Sequence, residues 1–155
     1  MSFLQLEGKT FLVVGVANKK SVAYHVAAGL REAGAEIVLA VKDAAAVTAV
    51  GKLFPGADVF ACNVEKEEEM GRMAEEVGAR HPLLHGMVHS IAFANYSTGV
   101  VPFRQKVKRD FLQAVDISMF SLVGLANAFR ERVDRQASVV TISISHSSMA
   151  SEAYG

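Results

Sequence analysis

Residues 10–34 read TFLVVGVANKKSVAYHVAAGLREAG, and their reading decides the fold. Thr10 to Gly15 is a short apolar, β-branched run that ends on glycine. Such a run, bounded by a turn residue, reads as a buried strand. Val16-Ala17-Asn18-Lys19-Lys20 is a tight loop, and from Ser21 to Ala33 the apolar spacing is helical. Gly34 then takes the glycine position that ends a helix. Strand, loop and helix start in this order suit a nucleotide phosphate, because first-turn N–H groups are free and the helix dipole favours an anion. Ser21 fits the N-cap, and Gly15 permits a sharp turn and close approach of a ligand to the backbone. An ordinary strand–helix crossover with a capped helix fits the same residues. The loop is not G-x-G-x-x-G, since Ala17 and Ser21 stand where a glycine-rich fingerprint carries more glycines. Taken alone, the stretch leaves the two readings level.

The pattern continues outward as alternating elements. A strand is expected at Glu36–Val41 and a helix from Asp43 to Leu53, with Pro55-Gly56 as a turn. A third strand follows at Ala57–Ala61, and then an acidic helix from Glu65 to Arg80, its glutamates placed where the dipole favours them and its end set by Pro82. Gly86–Ser90 reads as a fourth strand, Ile91–Pro102 as a loop, Lys106–Val133 as a long helix, and Ala137–Ser145 as a fifth strand. Strands alternating with helices imply right-handed parallel crossovers and a doubly wound α/β sheet. In such sheets ligands bind beyond the carboxyl ends of the strands. The loops after each strand are therefore the ones that face a ligand.

Composition narrows the class. At 155 residues, one domain spanning 1–155 is expected. Hydrophobic residues make up 51%, enough for a sheet covered on both faces. Formal net charge is zero, so no global charge points to nucleic acid or an anionic membrane. Cys62 is the only cysteine, which excludes an intrachain disulfide and a zinc site of several cysteines. The five histidines show no ligand spacing. No signal peptide and no apolar run of membrane-spanning length is read, so the expectation is a cytoplasmic protein.

Four segments then resemble one family. GKTFLVVGVANKKSVAYHVAAGLREAGAEIVLA (8–40), HSIAFA (89–94), FLQAVDISMFSLVGLANAF (111–129) and ASVVTISISHSSMASEAYG (137–155) are similar to bacterial enoyl-acyl-carrier-protein reductase, a short-chain dehydrogenase/reductase-type enzyme of fatty acid synthesis. The loop variant G-V-A-x-x-x-S-[IV]-A joined to H-S-I-A-F-A is the specific part. The resemblance implies a Rossmann-type sheet in the order 3-2-1-4-5. It places the cofactor pyrophosphate over Gly15, Ser21 and Val22, the adenosine ribose at Lys42, and the adenine at Asn63 and Val64. The nicotinamide side falls to Ser90, Ile91 and Ala92, the substrate region begins near Ala94, and the active-site tyrosine maps to Tyr154. The implied cofactor is NADH, with NADPH as the alternative, and the implied substrate is a trans-2-enoyl thioester carried on acyl carrier protein. A tyrosine O–H aimed at the thioester oxygen stabilises the negative charge that collects there.

The chain also departs from the family. The tyrosine is normally followed by a lysine, whereas only Gly155 follows Tyr154. The strands that would come after the fifth are missing too. Ile144 replaces a second tyrosine, Asn63 stands where aspartate often contacts adenine, and Lys42 stands where an acid would signal NAD. The expectation is a truncated domain with its fifth strand on an open edge, weakly stable alone or self-associating as a homo-oligomer. A non-catalytic dinucleotide-binding fragment, or another short-chain dehydrogenase/reductase, are the competing readings.

Overall fold

The computed structural model of the chain describes residues 4–143. Five parallel strands form one sheet: β1 (Thr10–Val14), β2 (Glu36–Val41), β3 (Asp58–Ala61), β4 (Leu84–His89) and β5 (Val133–Thr141). Their order is β3-β2-β1-β4-β5, the order expected from the sequence. The helices are α1 (Val22–Glu32), α2 (Ala44–Gly51), α3 (Glu67–Arg80), α4 (Lys108–Val115) and α5 (Ser121–Ala128). The first crossover, from β1 to β2 through α1, lies on one side of β1; β4 lies on the other. Strand order therefore reverses between β1 and β4, which is where such sheets open a crevice.

Each central strand feeds both faces of the sheet, because successive side chains point to opposite sides. Leu12, Val14, Val38 and Ala40 enter one core with Met70, Met73, Val77, Leu125 and Phe129 from α3 and the end of α5. Val13, Ile37, Leu39 and Val41 enter the other with Ala23, Ala27 and Val50 from α1 and α2. The near-continuous apolar runs of β1 and β2 follow from that double burial. Each fully buried leucine or valine contributes roughly 1.5–3 kcal/mol.

The helix caps follow the sequence. Ser21 caps α1 by accepting from the Tyr24 N–H at 3.3 Å, and Asp43 caps α2 by accepting from the Ala46 N–H at 2.9 Å. The acidic helix begins at Glu67 rather than Glu65. Glu69 reaches back to accept from the Asn63 N–H at 2.8 Å, which ties the loop before the helix to its first turn.

The single long helix expected over 106–133 is corrected in three places. It starts at Lys108, it carries a π-helical turn at Asp116–Phe120, and it stops at Ala128 before the 3₁₀ turn Arg130–Arg132. Within the π turn the Ser121 N–H reaches the Asp116 carbonyl, and the Ser121 hydroxyl donates to the Ile117 carbonyl at 2.6 Å. The side chain thus satisfies a carbonyl that the widened turn takes from its normal N–H partner. The run Lys108–Ala128 is long and apolar enough to cross a membrane by length and composition, contrary to the sequence reading. Its Ile117, Ser121 and Leu125 are buried in the protein, so one face packs as a core helix does.

β5 begins four positions earlier than expected, at Val133, and pairs with β4 through an irregularity between Leu84 and Gly86. As anticipated, it forms an edge of the sheet. Val139 and Val140 stay about half exposed, unlike the apolar residues of β1 and β2. Ile144 and Tyr154 lie outside the described residues.

Candidate dinucleotide site

The crevice opens at the carboxyl ends of β1, β2, β3 and β4. Gly15 leaves β1 with its N–H donating to the Ala40 carbonyl at 3.0 Å, while the Ser90 N–H donates to the Val14 carbonyl at 2.9 Å. Gly15 has φ of +101°, and a Cβ there would lie 2.1 Å from the Ser90 carbonyl oxygen. Only glycine fits, for both the backbone angle and the close approach. This contact brings the loops after β1 and β4 together across the reversal point.

The loop after β1 is braced internally. The Asn18 side chain accepts from the Lys20 N–H at 2.8 Å, and the Ser21 hydroxyl donates to the Asn18 carbonyl at 2.7 Å while accepting from the Ala17 N–H at 3.4 Å. Ser21 is therefore committed to shaping the loop. The N–H groups of Val22 and Ala23 in the first turn of α1 take no partner among the described residues. They are the donors left for an anion.

A cleft of about 290 Å³ follows, walled on one side by Gly15, Lys42, Asn63 and Val64 and on the other by Ser90, Ile91 and Ala92. The structure thus gathers these expected residues on one surface. Ser21 and Val22 are at the far end of the loop and do not line the cleft, and exposed Ala94 lies beyond its wall. Tyr154 is outside the described residues.

Other residues in or beside the cleft were not assigned to a site in the sequence. Cys62 forms part of its floor, and burial pushes its thiol up to about 11, so it stays protonated and unreactive. Glu69 fixes the Asn63 backbone, and its carboxylate is held below the usual range first by Lys66 and then by the Asn63 N–H. Gln113 of α4 links the two loops at the mouth. It donates to Glu65 at 2.8 Å and accepts from the Asn95 side chain at 2.8 Å. In the sequence Glu65 reads as the start of the acidic helix; the structure gives it this role across the cleft instead.

The loop after β4 is held from beneath. The Ser118 hydroxyl accepts from the Phe93 N–H at 2.9 Å and donates to the Phe93 carbonyl at 3.2 Å. Fully buried His89, at the end of β4, lies with Nε2 2.8 Å from Ser121 Oγ and Nδ1 3.1 Å from Thr141 Oγ1. Because the Ser121 hydroxyl donates to Ile117, it can only accept from His89. Nε2 therefore carries a proton toward Ser121, and burial holds the imidazole below its ordinary value, which favours its neutral form. Tyr96 lies on the surface, with the Lys106 ammonium 4.5 Å from its ring centre.

The enclosed space suits a flat, partly apolar nucleotide: Val64, Ile91 and Ile117 supply apolar walls, and Asn63 and Lys42 supply polar edges. Comparison with known proteins agrees. The chain is 32% identical to the NADPH-dependent enoyl-acyl-carrier-protein reductase FabI of Staphylococcus aureus over 142 residues, which is 88% of this chain and 56% of that protein. It is 31% identical to the NADH-dependent FabI of Bacillus subtilis over 142 residues, 88% of this chain and 55% of that protein. The chain therefore spans a little over half the length of the curated relatives it matches. The crystal structure of the NADH-type enoyl-acyl-carrier-protein reductase from Aquifex aeolicus superposes with a TM-score of 0.88 at 27% identity, over 96% of this chain and 60% of that one. The family profile described as Enoyl-(Acyl carrier protein) reductase matches residues 15–155, from the glycine at the sheet's reversal point onward, and the chain belongs to that family.

Proposed function

We propose that residues 1–155 form one dinucleotide-binding domain of an enoyl-acyl-carrier-protein reductase in fatty acid synthesis, acting in the cytoplasm. The observation that carries this reading is the cleft at the sheet's reversal point, where Gly15 and Ser90 touch and family-matched residues converge.

The residues present fit a nicotinamide dinucleotide. The free N–H groups at the start of α1 would hold the pyrophosphate, with Gly15, Ser21 and Val22 shaping its seat. Lys42 would meet the adenosine ribose, and Asn63 and Val64 the adenine. Ser90, Ile91 and Ala92 would flank the nicotinamide ribose, and Ala94 begins the substrate side. When bound, the reduced nicotinamide supplies the hydride that reduces the enoyl double bond. Ser118 keeps the Phe93 backbone fixed, so the loop presents one shape to both ligands. We assign Tyr154 as the donor to the thioester oxygen, where its O–H stabilises the developing negative charge. The acyl group arrives on acyl carrier protein, and copies of the chain associate as a homo-oligomer.

A second reading is a unit that binds dinucleotide and associates through its open edge without turnover. The β5 edge exposes Val139 and Val140, and an exposed apolar edge pairs with other chains. Oxidation of reduced dinucleotide by a crotonyl thioester, followed by loss of nicotinamide absorbance, separates the two. Turnover supports the reductase. Binding without turnover supports the second reading, and absence of both removes each of them.

A further inference from the structure

We propose that Gln113 couples the two ends of the cleft: a dinucleotide seated against the loop after β3 fixes the loop after β4 and so raises its affinity for an enoyl thioester. The inference rests on the dinucleotide reading above and adds a regulation of that site.

A continuous line of hydrogen bonds joins the two loops. The Glu65 N–H donates to the Asn63 side chain at 3.2 Å. The Gln113 amide donates to the Glu65 carboxylate at 2.8 Å, and the Asn95 amide donates to Gln113 Oε1 at 2.8 Å. The line starts at a residue on the adenine side and ends at the residue after Ala94, on the substrate side. Its direction is fixed by chemistry. An ionised carboxylate only accepts, so Gln113 must turn its NH2 to Glu65 and its carbonyl to Asn95. Asn95 must then answer with its own NH2.

The loop after β4 rides on α4. Residues 90–102 hold no strand or helix. Phe93 is tied to Ser118, Asn95 to Gln113 and Ser97 to Asp110. Asp110 and Gln113 lie one turn apart on α4, so they grip the loop from one helix face. The helix leaves Phe111 and Leu112 exposed and ends in the π turn. Loop and α4 therefore move as one body, and Gln113 ties that body to Glu65. An adenine held by Asn63 and Val64 orders the loop after β3 and, with it, the Glu65 carboxylate. The thioester then meets a loop already ordered and loses less conformational entropy on binding. The coupling is reciprocal, so thioester tightens dinucleotide by the same factor.

The test titrates the ¹⁵N-labelled 155-residue chain with NAD⁺ and, in parallel, with NADP⁺. Resonances of Asn63 and Val64 should shift, and the Asn95 side-chain NH2 and the Ser97 amide should shift with them. In Gln113→Leu the first pair should still respond and the second should fall silent. The paired substitution Glu65→Gln with Gln113→Glu should restore the response, because a carboxylate at 113 accepts from both neighbours. In calorimetry, crotonyl coenzyme A should bind about fivefold more tightly or better with the oxidised dinucleotide present than without it. That gain should be lost in Gln113→Leu and regained in the pair. Asn95 and Ser97 signals that stay still in the unaltered chain or shift equally in Gln113→Leu, or a thioester affinity indifferent to dinucleotide, overturn the inference and leave the dinucleotide site standing. Asn63 and Val64 signals unmoved by either dinucleotide overturn the site itself, and this inference with it.

Discussion

The two flanks of the β1–β4 reversal point solve the burial problem differently. On the side of β1 and β2, apolar residues enter cores on both faces of the sheet, and Leu12, Leu39 and Val38 are fully buried. On the side of β4 and β5, the outer strand leaves Val139 and Val140 about half exposed, and the α4–α5 run leaves Phe111, Met119 and Phe120 exposed. What holds this second side near the cleft is polar: His89 to Ser121 and Thr141, Ser118 to Phe93, and Gln113 to Glu65 and Asn95. The difference teaches that the strands behind one wall are held by packing on both faces, whereas the half-open sheet behind the other relies on hydrogen bonds between distant elements. Packing is tolerant of small shifts, whereas hydrogen bonds specify a loop's shape.

The sharpest break should come at the junction itself. Gly15→Ala places a Cβ against the Ser90 carbonyl at a positive φ, and should cost about 4 kcal/mol in chemical denaturation. It should also abolish dinucleotide binding, since β1 and β4 must part to admit the methyl group. Leu39→Ala, in the packed wall, should cost about 3 kcal/mol by the same measurement.

The hydrogen-bonded wall should reveal itself through pH. Burial holds His89 below its ordinary value of 6.5, so the unfolded chain takes up this proton first. Its contribution is complete above pH 6.5 and is lost as pH falls from there through the lower folded value. Urea midpoints should therefore drop on mild acidification, and His89→Gln should flatten that drop. Asp58 is held below 3.8, first by its hydrogen bond from His81 and then by Arg80, so its own loss begins only in stronger acid.

Smaller effects mark the periphery. Asp43→Ala removes the cap of α2 and should cost about 1 kcal/mol in thermal melts. Val139→Thr, on the exposed edge, should change monomer stability by less than about 0.5 kcal/mol. The same change should reduce self-association in sedimentation, because it removes apolar surface from an open strand.

The packed side was the legible one. The bounds of β2 agree with its apolar run, and Ser21 and Asp43 cap the helices they precede. Local pattern suffices there because burial on both faces leaves a continuous apolar signature. The other side depends on contacts between distant residues. Nothing around Asp116–Phe120 announces a π turn; Ser118 within it bonds Phe93, and Ser121 just after it bonds His89, both on other elements. The early start of β5 follows from pairing of Val133 with Leu84, and Arg132 just before it bonds Glu75 of α3 at 2.8 Å. Gln113 and Glu65 likewise meet across the fold. Glu69 is different: a glutamate in the first turn that reaches back to an N–H is a local signal, and it was open to a sequence reading.

The central claim is that a dinucleotide lies across the mouth between the loops after β1 and β4. Titrating the ¹⁵N-labelled chain with NADPH and following its amide resonances tests this most directly. Shifts concentrated at Gly15–Val22, Lys42, Asn63–Val64 and Ser90–Ala92 are the result this account predicts. An unchanged spectrum at saturating NADPH would contradict it, as would shifts confined to the small cavity at the opposite end of the sheet, beside Glu36, Asp58 and His81.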